Sequence, residues 1–207
     1  MQLLNTLEDG SLVNEREIRA AAGILFVPML IGLMIILLKG DFLMIKFYII
    51  LFHLDLWIRV IAGPQYAPSI IIGRSIVARQ APEYVAVRQK IFAWKIGIGL
   101  SGLMFILIDL LNSYSIFTGL SCLFCLIFLF FETAFGICLG CWMYGKIYRG
   151  KLENCPGGIC DEKVEGVIKK ISVQQLLIVV AFIVVAILLV ILLNSTFSAQ
   201  PRSLWKI

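Results

Sequence analysis

A chain of 207 residues that is 60% hydrophobic and only 15% charged has too little polar surface for an ordinary soluble domain. It carries apolar runs of about 20 residues, long enough to cross a hydrocarbon layer at about 1.5 Å of rise per residue. The net charge of +5 is gathered between those runs, so it reads as a topogenic signal and calls for no nucleic-acid partner.

Residues 1–19 form a polar lead-in, in which Asn5 or Ser11 could cap a helical turn. The first apolar run, Ala20–Leu38, follows Glu8, Asp9, Glu15 and Glu17. An acidic approach and a long apolar stretch do not describe a cleaved signal peptide, so the run is expected to be a retained membrane helix containing Pro28. Gly40-Asp41 makes a tight connection to the second run, Phe42–Ala62, which holds Lys46, His53, Asp55 and Arg59. Gly63-Pro64-Gln65-Tyr66-Ala67-Pro68 then breaks the helix. Beyond it, Ile70, Ile71, Ile76 and Val77 alternate with Arg74 and Arg79 at helical spacing. That segment suits either the lipid interface or a place packed beneath the bundle.

The third run, Ala93–Leu111, holds Lys95 and Asp109, and Asn112-Ser113-Tyr114 turns the chain into the fourth. That fourth run, Ser115–Gly145, has Glu132 as its one charge and is longer than a bilayer requires, so it should tilt or protrude. A charged loop over 146–170 leads to the fifth run, Ser172–Leu193, and the polar tail from Ser195 is expected to be disordered.

These runs define an all-α, polytopic transmembrane bundle of five spans. Its segments are a polar amino-terminal stretch (1–19), a four-helix core (20–148), a cysteine-containing loop (149–171), a fifth helix (172–194) and a tail (195–207). With five spans, thirteen lysines and arginines fall on one face and three on the other. The bias places the amino terminus in the cytoplasm and the carboxyl terminus outside. The lipid bilayer is then the chain's first partner.

The candidate chemistry lies in cysteines and intramembrane charges. Cys138 and Cys141, three apart on the fourth run, share a helical face, and Cys155 and Cys160 lie in the loop that follows. On the cytoplasmic side such thiols are more often reduced, catalytic or metal-binding than structural disulfides. A Cys-x-x-Cys pair can close a disulfide, but at the carboxyl end of a long helix the dipole would oppose a thiolate. The alternative is a tetrahedral zinc site built from Cys138, Cys141, Cys155 and Cys160. Cys122 and Cys125 sit in an apolar stretch and read as packed hydrophobes. Asp55 and Arg59, four apart, can pair on one face, and with Glu132 at similar depth they would form a cluster that tunes the thiols, relays protons or binds an anion. A buried ion network fixing helix packing is the competing reading. There is no phosphate-binding loop, no Ser–His–Asp pattern and only one histidine, which argues against ATPase, hydrolase and multi-histidine metal chemistry.

Several blocks give the chain a resemblance to a known family. They are Val13-Asn14-Glu15, then Asp55-Leu56-Trp57-Ile58-Arg59 with the Gly63–Pro68 segment, Phe92-Ala93, Glu132, and Gly136-Ile137-Cys138-Leu139-Gly140-Cys141-Trp142-Met143-Tyr144-Gly145. Over Val13 to Tyr148 the chain resembles the bacterial membrane proteins catalogued as domain of unknown function 4395. The resemblance implies a compact four-helix unit in a bacterial cytoplasmic membrane, with the Cys155/Cys160 loop and fifth span as additions. Family members are similar in setting to sulfur-metabolism and thioredoxin-associated proteins, which implies thiol chemistry and a thioredoxin-like or sulfurtransferase partner. The leading expectation is therefore handling of thiol, disulfide or persulfide groups. A zinc-binding module and a small transporter for a sulfur-containing anion are the alternatives.

Overall fold

Helix α1 (Glu15–Lys39) is started by Asn14, whose side chain accepts the Arg16 amide at 3.1 Å, and Glu15 and Glu17 in its first turn complement the helix dipole. Gly40, at φ +67°, ends it. The Asp41 carboxylate accepts the Leu43 amide at 2.9 Å where α2 (Leu43–Ile61) begins. This computed structural model describes residues 12–147 and 172–203.

A short 3-10 turn (Pro64–Tyr66) leads into α3 (Pro68–Val77), with Pro68 in the first helical turn, where its missing N–H costs nothing. The short strands β1 (Leu12–Asn14) and β2 (Tyr84–Ala86) pair antiparallel, Val13 opposite Val85. That pairing draws the start of α1 beside the start of α4 (Val87–Met104). Helix α4 continues through a π-helical segment (Phe105–Leu110) to β3 (Ser113–Tyr114). Helix α5 (Ile116–Phe130) also ends in a π-helical segment (Phe131–Phe135), followed by α6 (Leu139–Ile147), α7 (Val173–Phe197) and β4 (Arg202–Ser203).

Among the described residues, four helical stretches are long and apolar enough to cross a membrane: Glu15–Lys39, Val87–Leu110, Ile116–Phe135 and Val173–Ser195. The remaining expected run, the second, is α2, 19 residues long. It carries Lys46, Asp55 and Arg59, all buried inside the bundle. The protein is thus an all-α helical membrane protein. Its core runs through Ile18, Met29, Ile45, Ile49, Phe52 and Trp94. No residue of the apolar window in α7 is buried.

The segment after the Gly63–Pro68 break proves to be packed. Helix α3 lies so close to α1 that a Cβ on Gly73 would fall 2.7 Å from the Glu17 carbonyl oxygen. Ile70 and Ile71 are buried there, while Ile76 stays exposed. The tail expected to be disordered is ordered over its described residues, which reach Ser203, and the reason is a buried cation. Lys46 Nζ donates to the Phe197 and Ala199 carbonyls (3.1 and 2.8 Å) and to Asn112 Oδ1 (2.7 Å). β4 then runs parallel to β3.

Candidate thiol site at a helix amino terminus

The expected fourth run does not continue as one helix to Gly145. After the π-helical segment, Gly136 adopts φ +67°. The Arg19 guanidinium fills the space that a Cβ there would need. The chain restarts as α6, and Cys138 is the residue that caps it. Its sulfur accepts the Cys141 amide at 3.3 Å, and its carbonyl accepts the Trp142 amide at 3.0 Å. The thiol pair therefore lies at a helix amino terminus, where the dipole favours a thiolate, and the expected carboxyl-terminal placement is corrected.

Close packing holds α6 in place. A Cβ on Gly140 would come 2.5 Å from the Cβ of Ala93, so only glycine lets α6 approach α4 this closely. Phe92 and Tyr144 add a tilted ring contact with centroids 5.4 Å apart.

Beneath the pair is a network that no sequence motif announced. Lys90 Nζ lies 3.0 Å from Glu15 and 2.8 Å from Glu132, and Arg19 Nε lies 3.5 Å from Glu15. Lys90 and Glu15 are buried. The β1–β2 pairing explains their meeting, since it aligns the first residue of α1 with the first turn of α4. The one available signal was the acidic residue of Val13-Asn14-Glu15 set against the basic Arg88-Gln89-Lys90 at the head of the next long helix.

The electrostatics divide the two thiols. A hydrogen bond from the Cys141 thiol, chiefly, holds Cys138 below the ordinary thiol range. Burial and Glu132 oppose that shift, while Lys90 and the Cys141 backbone N–H assist it. Cys141 is pushed well upward, first by that same hydrogen bond and then by burial. Both side chains are partly exposed. The arrangement supplies an acidic, reachable thiol and a neighbour that keeps its proton.

The expected Asp55–Arg59–Glu132 cluster resolves into two networks. Asp55 accepts Arg59 Nε at 2.8 Å, the Ser69 amide at 3.0 Å and the Ser69 hydroxyl at 2.7 Å. Arg59 Nη2 also donates to Ser69 Oγ at 2.7 Å. Ser69, in the first turn of α3, therefore takes the place expected of Glu132, because Glu132 is held by Lys90. The two networks meet at a cavity of about 50 Å³ lined by Arg59, Glu132, Cys138, Trp94 and Cys125, with otherwise apolar walls. Asp55 is not part of that lining.

Cys122 and Cys125 are buried in α5, as packed hydrophobes would be. Cys155 and Cys160, needed for the zinc arrangement and for any relay to the loop, lie outside the described residues. Among the described residues no group of three or more His, Cys, Asp or Glu is placed to hold a metal ion. His53 is engaged by neighbours, with Nδ1 2.8 Å from Ser101 Oγ and Nε2 accepting the Trp57 indole N–H at 2.8 Å.

The chain belongs to the family described as Domain of unknown function (DUF4395), whose model matches residues 13–149. The match takes in the Lys90 network, the cavity and α6 and ends before α7. No curated protein and no solved structure matches the chain.

Proposed function

We propose that this protein handles thiol, disulfide or persulfide groups at the cytoplasmic face of a bacterial inner membrane, with Cys138 as nucleophile and Cys141 as resolving thiol. The observation that carries the reading is Cys138 at the amino-terminal cap of α6, its sulfur accepting the Cys141 N–H. A thiolate there is stabilised before any partner arrives, and partial exposure lets one approach.

In the disulfide form of the reaction, the Cys138 thiolate attacks one sulfur of a partner disulfide. That S–S bond breaks, and the partner's other sulfur leaves as a thiolate. Cys141 then gives up its proton and attacks the Cys138 sulfur, which releases the second partner thiolate. Two electrons pass from the pair to the partner, and a Cys138–Cys141 disulfide remains. A dithiol protein of thioredoxin type, or a sulfurtransferase, is the expected partner, and Cys155 and Cys160 are candidates for a relay to it. Lys90 and Glu132 set the field around the thiols, and Arg59 with Asp55 acts from the cavity side.

The test is Cys141→Ser in native membranes under mild oxidation. This variant should accumulate a mixed disulfide through Cys138, and Cys138→Ser should accumulate none. Absence of any trapped species, together with Cys138 alkylating no faster than Cys122, would sink the reading. Zinc released on changing Cys155 or Cys160 would replace it with the metal-binding one.

A further inference from the structure

The cavity beside Cys138 is small and largely apolar, and it is lined by one cysteine of the pair. Cys138 lines it and Cys141 does not. A water molecule needs about 10–15 Å³ of such space. The cavity, at about 50 Å³, therefore takes a ligand of only a few heavy atoms, and a peptide or protein disulfide is too large to enter. Its charges limit the ligand further. Glu132 and Glu15 are balanced by Lys90 and Arg19, and Asp55 by Arg59, so no acid is left over to bind a cation.

Arg59 uses Nε on Asp55 and Nη2 on Ser69. Its guanidinium also lies 5.7 Å from the centroid of the Trp94 ring. The Trp94 indole N–H, itself buried, has no acceptor among the described residues. One unpartnered indole N–H beside a guanidinium in an apolar wall can accommodate a single negative charge on a weakly hydrated ion. A dianion or a strongly hydrated oxyanion would lose more hydration than one N–H beside an already paired arginine returns.

We propose that this cavity is a hydrosulfide site serving the Cys138 centre, an inference that rests on the thiol reading above and names its small substrate. Hydrosulfide held there attacks the Cys138 sulfur of the Cys138–Cys141 disulfide. The S–S bond breaks, Cys141 leaves as a thiolate, and it takes the proton from the new persulfide. The products are a Cys138 persulfide anion and a Cys141 thiol. Sulfide is oxidised by two electrons, which the disulfide accepts, and the charge of minus one is conserved. The reverse step releases hydrosulfide into the same cavity when Cys141 resolves a Cys138 persulfide.

The experiment uses the full chain in detergent, oxidised to the Cys138–Cys141 disulfide. It compares two rates, persulfide formation with sodium sulfide, followed by mass spectrometry, and reduction by dithiothreitol. Leu100→Trp fills the cavity from an apolar wall position. It should slow the sulfide reaction about tenfold or more, the scale of losing one charge-assisted hydrogen bond, and change the dithiothreitol rate less than about twofold. In the unaltered protein, thiocyanate should inhibit the sulfide reaction and spare the dithiothreitol reaction, a result that needs no variant to fold.

A sulfide rate indifferent to both filling and thiocyanate overturns the inference and leaves the thiol reading standing. So does a reduced pair whose consumption of hydrogen peroxide, and not its chemistry with sulfide, depends on the cavity. A pair that never forms a disulfide sinks both.

Discussion

The bundle buries a lysine at each end and treats the two differently. Lys46 lies where α2 begins, and its ammonium is met by neutral groups, two carbonyls of the tail and one side-chain amide. Lys90 lies where α1 and α4 begin, and two carboxylates meet it. The first cation is solvated by the chain's own end, so its effect is to fasten that end. The second sits in a charge network next to two thiols, so its effect reaches the chemistry. A π-helical segment occurs at each end as well, carrying Asp109 at one and Glu132 at the other. Glu132 is paired, while neither carboxylate oxygen of Asp109 has a hydrogen-bond donor among the described residues.

The sharpest test of this contrast replaces both lysines by Met, one at a time. Lys90→Met leaves Glu15 and Glu132 buried without their shared cation and should cost about 3–5 kcal/mol, read as a lower melting temperature in detergent. Lys46→Met strands two carbonyls and an amide oxygen and should cost less, about 1–3 kcal/mol.

Thiol reactivity separates the two variants further. In the unaltered protein the rate of Cys138 alkylation should rise with pH through a midpoint below the ordinary thiol value of 9.0. Lys90→Met removes a cation that favours the thiolate and leaves the opposing Glu132, so the midpoint should move up. Lys46→Met should leave it unchanged, and equal effects of the two would erase the distinction. The linkage signs follow from the shifts. Stability from Cys138, whose folded value is lowered, is present above the unfolded thiol value and is lost as pH falls through the folded one. For Cys141, whose folded value is raised, stability is present below the unfolded value and is lost as pH rises through the folded one.

Backbone geometry is the next lever. Gly136→Ala forces a Cβ into the left-handed region and onto the Arg19 guanidinium, at a cost of about 1–2 kcal/mol from the backbone conformation. Because Gly136 sets where α6 restarts, the change should also slow Cys138 alkylation at neutral pH. If stability falls and reactivity holds, the cap geometry tolerates a shifted α6.

What the sequence made legible follows from what is periodic. Apolar runs at membrane length announced every long helix, because hydrophobicity over about 20 residues needs no tertiary partner to be recognised. The break at Gly136 was hidden because Gly-Ile-Cys-Leu-Gly-Cys is apolar throughout, and hydropathy does not register a single left-handed residue. That one residue reversed the dipole seen by Cys138. The Lys90–Glu15 pair was hidden for a different reason. Its partners are 75 residues apart and meet only because two three-residue strands pair. Asp55 and Arg59 could be paired from their spacing alone, since a four-residue step on a helix is local geometry. Ser69 as their third member depended on the fold of the Gly63–Pro68 turn.

The smallest expected effect belongs to Asp109, and it bears on whether a π-helical acid is by itself a sign of function. Glu132 and Asp109 share the same backbone setting, so if that setting were the important property, both should resist neutralisation. The hydrogen bonds say otherwise. Asp109→Asn removes a charge to which no described residue donates, and the amide adds donors of its own. Stability should stay within about 0.5 kcal/mol of the unaltered protein or rise slightly, because losing the attraction to Lys46 is offset by no longer burying a carboxylate. Glu132→Gln leaves Lys90 with one carboxylate instead of two and should lower the melting temperature measurably under the same conditions. If Asp109→Asn proves the more damaging of the two, the end fastened by Lys46 holds more than a clasp, and the contrast between the ends would have to be redrawn around Asp109.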